Sequence, residues 1–216
     1  MKTAEQLKND VEQELRWDPS VRSEQIGVSV KDGVVELDGH VGSYYEKWAA
    51  ERDALRVANV KSVASEIKVD LPDMTSRTDE DIARIATNHL EWNYLVPKTV
   101  KVQVTDGFVT LKGTVEWQYQ SDAAERAVRP LFGVKGVVND IELKPTVSAA
   151  NVKTKIEDAL KRNAETDADH ITVEACGSTV TLRGKVQSWA ERDEAERAAF
   201  WAPGVTKIDN LVEISY

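Results

Sequence analysis

Hydrophobic positions along this chain change period in a fixed order, and the order is repeated three times. Leu7, Val11 and Leu15 recur at helical spacing, as do Ile82, Ile85 and Leu90, and then Val152, Ile156 and Leu160. Each such stretch predicts an amphipathic helix with one apolar stripe. Strict alternation follows, as Ile26-Val28-Val30, Val100-Val102-Val104 and Ile171-Val173-Ala175, and this is the period of a half-buried strand. A second alternating run comes next: Val35, Leu37, Gly39 and Val41 share one face, while Glu36, Asp38 and His40 share the other. Asp32-Gly33 and Asp106-Gly107 stand between the two runs and suit the positive φ of a short hairpin; Gly177-Ser178 takes their place in the third copy. A further helix and a last strand (Ile67-Val69, Ile141-Leu143, Val212-Ile214) complete each unit.

Aligned on Gly39, Gly113 and Gly184, the copies are offset by 74 and then 71 residues. "AAERDALRVANVKSV" (49–63) runs in step with "AAERAVRPLFGVKGV" (123–137) and "EAERAAFWAPGVTKI" (194–208), and Trp17 falls on Trp92. The units divide the chain at 1–72, 73–146 and 147–216, with short proline-bearing linkers around 71–78 and 144–151. The fold class expected is α/β, an α+β two-layer arrangement of three tandem αββαβ modules. Each module is a three-stranded mixed sheet: an antiparallel hairpin, a parallel third strand reached through a helix, and two helices on one face. Thr3-x-x-Gln6, Thr78-x-x-Asp81, Ser43-x-x-Glu46 and Ser188-x-x-Glu191 read as helix-capping pairs, with Trp117 a weaker cap in copy two. The strand glycines Gly39, Gly113 and Gly184 are read as structural, leaving room for the second helix to pack across the sheet.

Composition narrows the function classes. With 28 Lys+Arg against 37 Asp+Glu the net charge is −9, every copy is net acidic, and no basic cluster is present for a phosphate backbone, so nucleic acid is not expected as a partner. A single cysteine, Cys176, sits at a turn and allows no internal disulfide. His40, His89 and His170 occupy non-equivalent positions, so no metal site is expected, and no phosphate loop or nucleophile elbow is present. No catalytic residue and no cofactor is therefore assigned. Glu51-Arg52, Glu125-Arg126 and Glu196-Arg197 form the one charged signature in all copies; adjacent helix positions diverge by about 100°, which favours a structural anchor over an acid–base pair.

The hairpin "DGxVxLxGxV" and the following "AAER" helix resemble the BON domain, named for bacterial osmotically induced and nodulation proteins. The resemblance covers essentially the whole chain. It implies a bacterial, stress-related, transport-associated protein that binds phospholipid or another ligand and has no enzymatic activity. Relatives with two copies carry an export signal. This chain starts with an amphipathic helix, so the expected location is the cytoplasm, or the periplasm if a leader is removed.

Aromatics gather where the second strand enters the second helix: Tyr44, Tyr45 and Trp48; Trp117 and Tyr119; Trp189. Helix starts offer free N–H groups to an anionic headgroup, and Trp and Tyr suit a membrane–water interface. These six residues are the candidate ligand-binding set, with phospholipid headgroups or a membrane surface as the partner. The structural alternative packs the same rings over each core or against the next module. A protein-interaction scaffold, using sheet edges and inter-module grooves, is the second functional reading. Ligand identity and oligomeric state are left open.

Overall fold

The computed structural model describes residues 2–71, 77–144, 152–162 and 171–214. In the first module, helix α1 (Ala4–Trp17) precedes the hairpin β1 (Ile26–Lys31) and β2 (Val34–Val41), followed by α2 (Tyr44–Arg56) and β3 (Ser62–Val69). The second module repeats this as α3 (Asp79–Trp92), β4 (Lys101–Thr105), β5 (Phe108–Val115), α4 (Gln118–Val128) and β6 (Gly136–Leu143). The third has α5 (Val152–Arg162), β7 (Ile171–Cys176), β8 (Thr179–Val186), α6 (Trp189–Phe200) and β9 (Lys207–Ile214). Each module has its own three-stranded sheet with the second strand in the middle, antiparallel to the first and parallel to the third. The mixed sheets and paired helices are those the periodicity predicts.

Three separate cores result. In the first, Leu7, Val11 and Leu15 of α1 and Ala49, Ala50 and Ala54 of α2 cover Val28, Val35, Leu37 and Ile67 of the sheet. The alanines bring α2 close to the strands, and the leucines fill the remaining depth. In α3 the buried stripe is Ile82, Ala86 and Leu90, whereas Ile85 stands at its margin. Ala175 is exposed, because β7 has left the core by its fifth residue.

Turn chemistry follows the sequence. Asp32 and Gly33 take φ of 53° and 84°, and Asp106 and Gly107 take 52° and 81°. The reason for the strand glycines differs from the expectation. Gly39, Gly113 and Gly184 have φ of 130°, 139° and 147°, a region nearly closed to other residues. A Cβ on Gly39 would collide with the carbonyl oxygen of Gln25, and one on Gly113 with that of Thr99. The close neighbour is the main chain just before the first strand, not the second helix.

Helix starts are closed from within. Thr3 and Gln6 form a full reciprocal capping box. Ser43 accepts from Glu46 N–H, but the Glu46 carboxylate reaches further back, to Gly42 N–H at 3.1 Å and to the main-chain N–H and guanidinium of Arg22. In the third module Glu191 accepts from Gln187 N–H at 3.0 Å, and in the second Gln120 accepts from both Glu116 and Trp117 N–H. Thr78 accepts from Asp81 N–H and also donates its hydroxyl to the Asp81 carboxylate.

Candidate functional site

The six aromatic candidates divide into two groups. Tyr44, the first residue of α2, leaves its own module and packs against the core of the second, with the Val137 main chain beside its hydroxyl. Burial pushes that hydroxyl upward, against the pull of Val137 and Arg129. Trp48, one turn later, lies under Arg129 of the second module at 3.9 Å and under Arg52 of its own helix at 4.8 Å. Trp189, the residue of the third module equivalent to Tyr44, donates its indole N–H to the Lys61 carbonyl of the first module at 3.1 Å. These three rings are inter-module staples. Tyr45 stacks obliquely on Trp48 at 5.8 Å, Tyr119 is exposed, and Trp117 is half-buried at the head of α4.

Part of the donor set near the helix starts is also taken. Glu46, Gln120 and Glu191 accept from the N–H groups that precede their helices. For Glu46, burial acts to raise the carboxyl, but hydrogen bonds from Arg22 and Gly42 outweigh it and hold it below the usual carboxylate value.

The second helices of the three modules converge on a common cavity of about 640 Å³. Its walls carry Trp48 and Arg52 from α2, Asp122, Glu125 and Arg126 from α4 with Arg129 just beyond it, and Asp193, Glu196 and Arg197 from α6. By the repeat offsets, Arg52, Arg126 and Arg197 are one position in three copies, as are Trp48, Asp122 and Asp193. The shared Glu-Arg signature therefore splits in two directions. In copies two and three its glutamates reach the sheets: Glu125 and Glu196 accept from Asn139 and Asn210 of the third strands, at 3.2 and 2.8 Å, whereas Glu51 lies 3.9 Å from Lys47 on its own helix. Its arginines face the junction. Arg52 anchors α2 to the end of α1 through Asp18 and Asp53, which is the anchoring role expected of it.

Charges in the cavity are unevenly spent. Arg129 pairs with Glu125 at 2.5 Å, and Arg197 pairs with Glu194. Arg126 hydrogen-bonds only the Asp122 carbonyl, through Nε, and the Asp193 carboxylate makes no hydrogen bond or close ion pair among the described residues, although the charges of Arg192 and Arg197 act on it. Asp122 and Asp193 are both held above the usual carboxylate value, first by desolvation where the helices crowd together.

Other exposed features lie at the far ends of the first helices. Trp17 and Trp92, equivalent in the repeat, are 84% and 90% exposed, and Tyr94 beside Trp92 is 92% exposed. The sequence carried a signal for this: each tryptophan stands two residues after a buried leucine, off the apolar stripe of its helix. His40 sits 2.6 Å from Asp70, His89 lines a groove beside Trp92, and His170 lies outside the described residues. Among the described residues no three His, Cys, Asp or Glu side chains are grouped to hold a metal ion, and Cys176 is an exposed thiol at the end of β7.

The osmotically-inducible protein Y of Escherichia coli (strain K12) is 34% identical over 135 residues, which are 58% of this chain and 65% of that protein. Among solved structures, a structural protein of the type III secretion system of Chlamydia trachomatis, CdsD, covers 96% of this chain and 91% of its own at 15% identity and TM-score 0.27. The periplasmic domain of PrgH from S. typhimurium covers 89% and 95% at 10% identity and TM-score 0.23. Neither of these two structures bears on function at such scores. The BON domain model matches residues 3–70, 78–145 and 148–216. Three matches that together span nearly every residue place the chain in the BON domain family, as a threefold repeat of that domain.

Proposed function

We propose that this chain is a non-enzymatic binding protein of the osmotic stress response that associates with phospholipid surfaces. The link to osmotic stress is supported by its similarity to the osmotically-inducible protein Y of E. coli. One observation carries the lipid contact: Trp17 and Trp92, at equivalent positions of two modules, stand almost fully in solvent at the ends of their helices. Tryptophan is favoured where an apolar ring meets hydrated headgroups, and each ring withdrawn from water stabilises the contact by about 1–2 kcal/mol. Tyr94 extends the same edge in the second module.

The six residues singled out from sequence contribute differently under this reading. Tyr44, Trp48 and Trp189 hold the modules in place, and the lipid contact passes to the first helices. A net charge of −9 repels an anionic bilayer at low salt, so a zwitterionic surface is the better partner.

Co-sedimentation with phosphatidylcholine vesicles tests the reading, with phosphatidylglycerol added in steps. The expected result is a bound fraction that falls as anionic lipid rises, and binding weaker by about 30-fold or more for the Trp17→Ala, Trp92→Ala double variant. A chain that stays in the supernatant with every composition, or a double variant that binds like the parent, would overturn it.

A further inference from the structure

We propose that the cavity between α2, α4 and α6 binds a small zwitterionic solute, its carboxylate held by Arg126 and its ammonium by Asp193. The cavity is where the one charged signature common to all three copies comes together, since Arg52, Arg126 and Arg197 all line it. No single module could make it. Its volume of about 640 Å³ admits a molecule of amino-acid size together with water.

Charge balance selects the ligand class. Four arginines and four carboxylates line the walls, so a simple anion meets Asp122 and Asp193, and a simple cation meets the guanidinium groups. A molecule with one charge of each sign satisfies both. Arg126 and Asp193 are the groups left to bind it, because Arg52, Arg129 and Arg197 are already paired with carboxylates, Glu125 and Glu196 with the third strands, and Asp122 accepts from Gln118. Arg126 keeps its two terminal nitrogens free, the geometry that grips a carboxylate. Asp122 and Asp193 are held above the usual carboxylate value by desolvation, against the pull of the nearby arginines, and an ammonium group seated between them would add to that pull.

The ammonium needs N–H donors. The face of Trp48 is already covered by Arg52 and Arg129, which leaves no open ring there for a quaternary ammonium. Tyr119, Phe200 and Trp201 also line the cavity, so selection against a trimethylated nitrogen rests on the hydrogen bonds that it cannot donate to Asp193.

Titration of the full chain with L-proline, followed by amide NMR and calorimetry, tests the site. Glycine betaine, choline chloride and sodium acetate serve as comparisons. Thermal shift is unsuitable, because such solutes stabilise proteins at high concentration by exclusion from the surface. The expected outcome is saturable proline binding with shifts on α4 and α6, weaker binding of betaine, and none of choline or acetate. Asp193→Asn and Arg126→Gln, both exposed substitutions, should each weaken proline by about 10-fold, while Arg183→Gln on the third sheet leaves it unchanged. Absence of saturation by proline, betaine binding as tightly as proline, or proline affinity unaltered in both cavity variants would overturn the proposal.

Discussion

Trp189 of the third module donates its indole N–H to the main-chain carbonyl of Lys61 in the first, 128 residues earlier in the chain. The contact joins the head of one module's second helix to the start of another module's third strand. Tyr44 makes the corresponding approach from the first module to Val137 of the second. One structural position thus serves as the docking element at two junctions, once as tyrosine and once as tryptophan. The Trp189→Phe variant keeps the ring but loses the donor, at a cost of about 1 kcal/mol. Hydrogen exchange should accelerate in α6 and around Lys61, and stay at parental rates in the second module.

Tyr44→Ala is expected to loosen the first module from the second without unfolding either, because Tyr44 lies outside its own module's core. Loss of this half-buried ring costs about 2 kcal/mol at the junction. Amide shifts confined to Val137 and Arg129, with a larger radius of gyration in small-angle scattering, would reveal the separation. Cooperative unfolding of both modules at a lower temperature would argue against it.

Gly39→Ala and Gly113→Ala should each cost about 3 kcal/mol, because the new methyl group meets a carbonyl and the backbone must leave its positive φ. Denaturant titration measures this directly. Gly177→Ala, where an added Cβ would meet nothing within 4 Å, should cost less, from its φ of 60° alone.

Two carboxylates of the first module titrate in opposite senses. Glu46, lowered overall by Arg22 and Gly42, contributes stability that is present above 4.5 and lost as pH falls through its folded value. Asp53 is raised, first by burial and then by the neighbouring Asp18, although Arg52 opposes the shift. Its contribution is complete below 3.8 and is lost as pH rises through its folded value. Glu46→Gln should therefore destabilise the module at neutral pH by about 2–3 kcal/mol and flatten its acid dependence. Asp53→Asn should flatten the curve from the other side. Stability measured across pH 3–7 separates the two.

The modules were legible in the sequence because every rule that builds them is local. Val35, Leu37 and Val41 alternate toward the core as written, and the Asp-Gly pairs adopt the expected turns. What lay between modules was not legible. Nothing near Tyr44 announces that its ring belongs to the core around Val109 and Leu111 rather than the one around Val35 and Leu37. Ser43 and Glu46 spelled a capping box, yet the carboxylate went to Arg22, a partner 24 residues away that no helix rule contains. The exposed tryptophans were passed over for a simpler reason: Trp17 and Trp92 served to align the copies, and their position off the apolar stripe went unused.

The docking position has drifted while the cores have not. Residues 44, 118 and 189 are tyrosine, glutamine and tryptophan, although the valines and leucines behind them are nearly interchangeable. Modules of this kind are equivalent as folding units and distinct as neighbours, so their order along the chain is itself specified. A permuted chain with the second and third copies exchanged would retain every hydrophobic interior and still bring the wrong side chains to both seams.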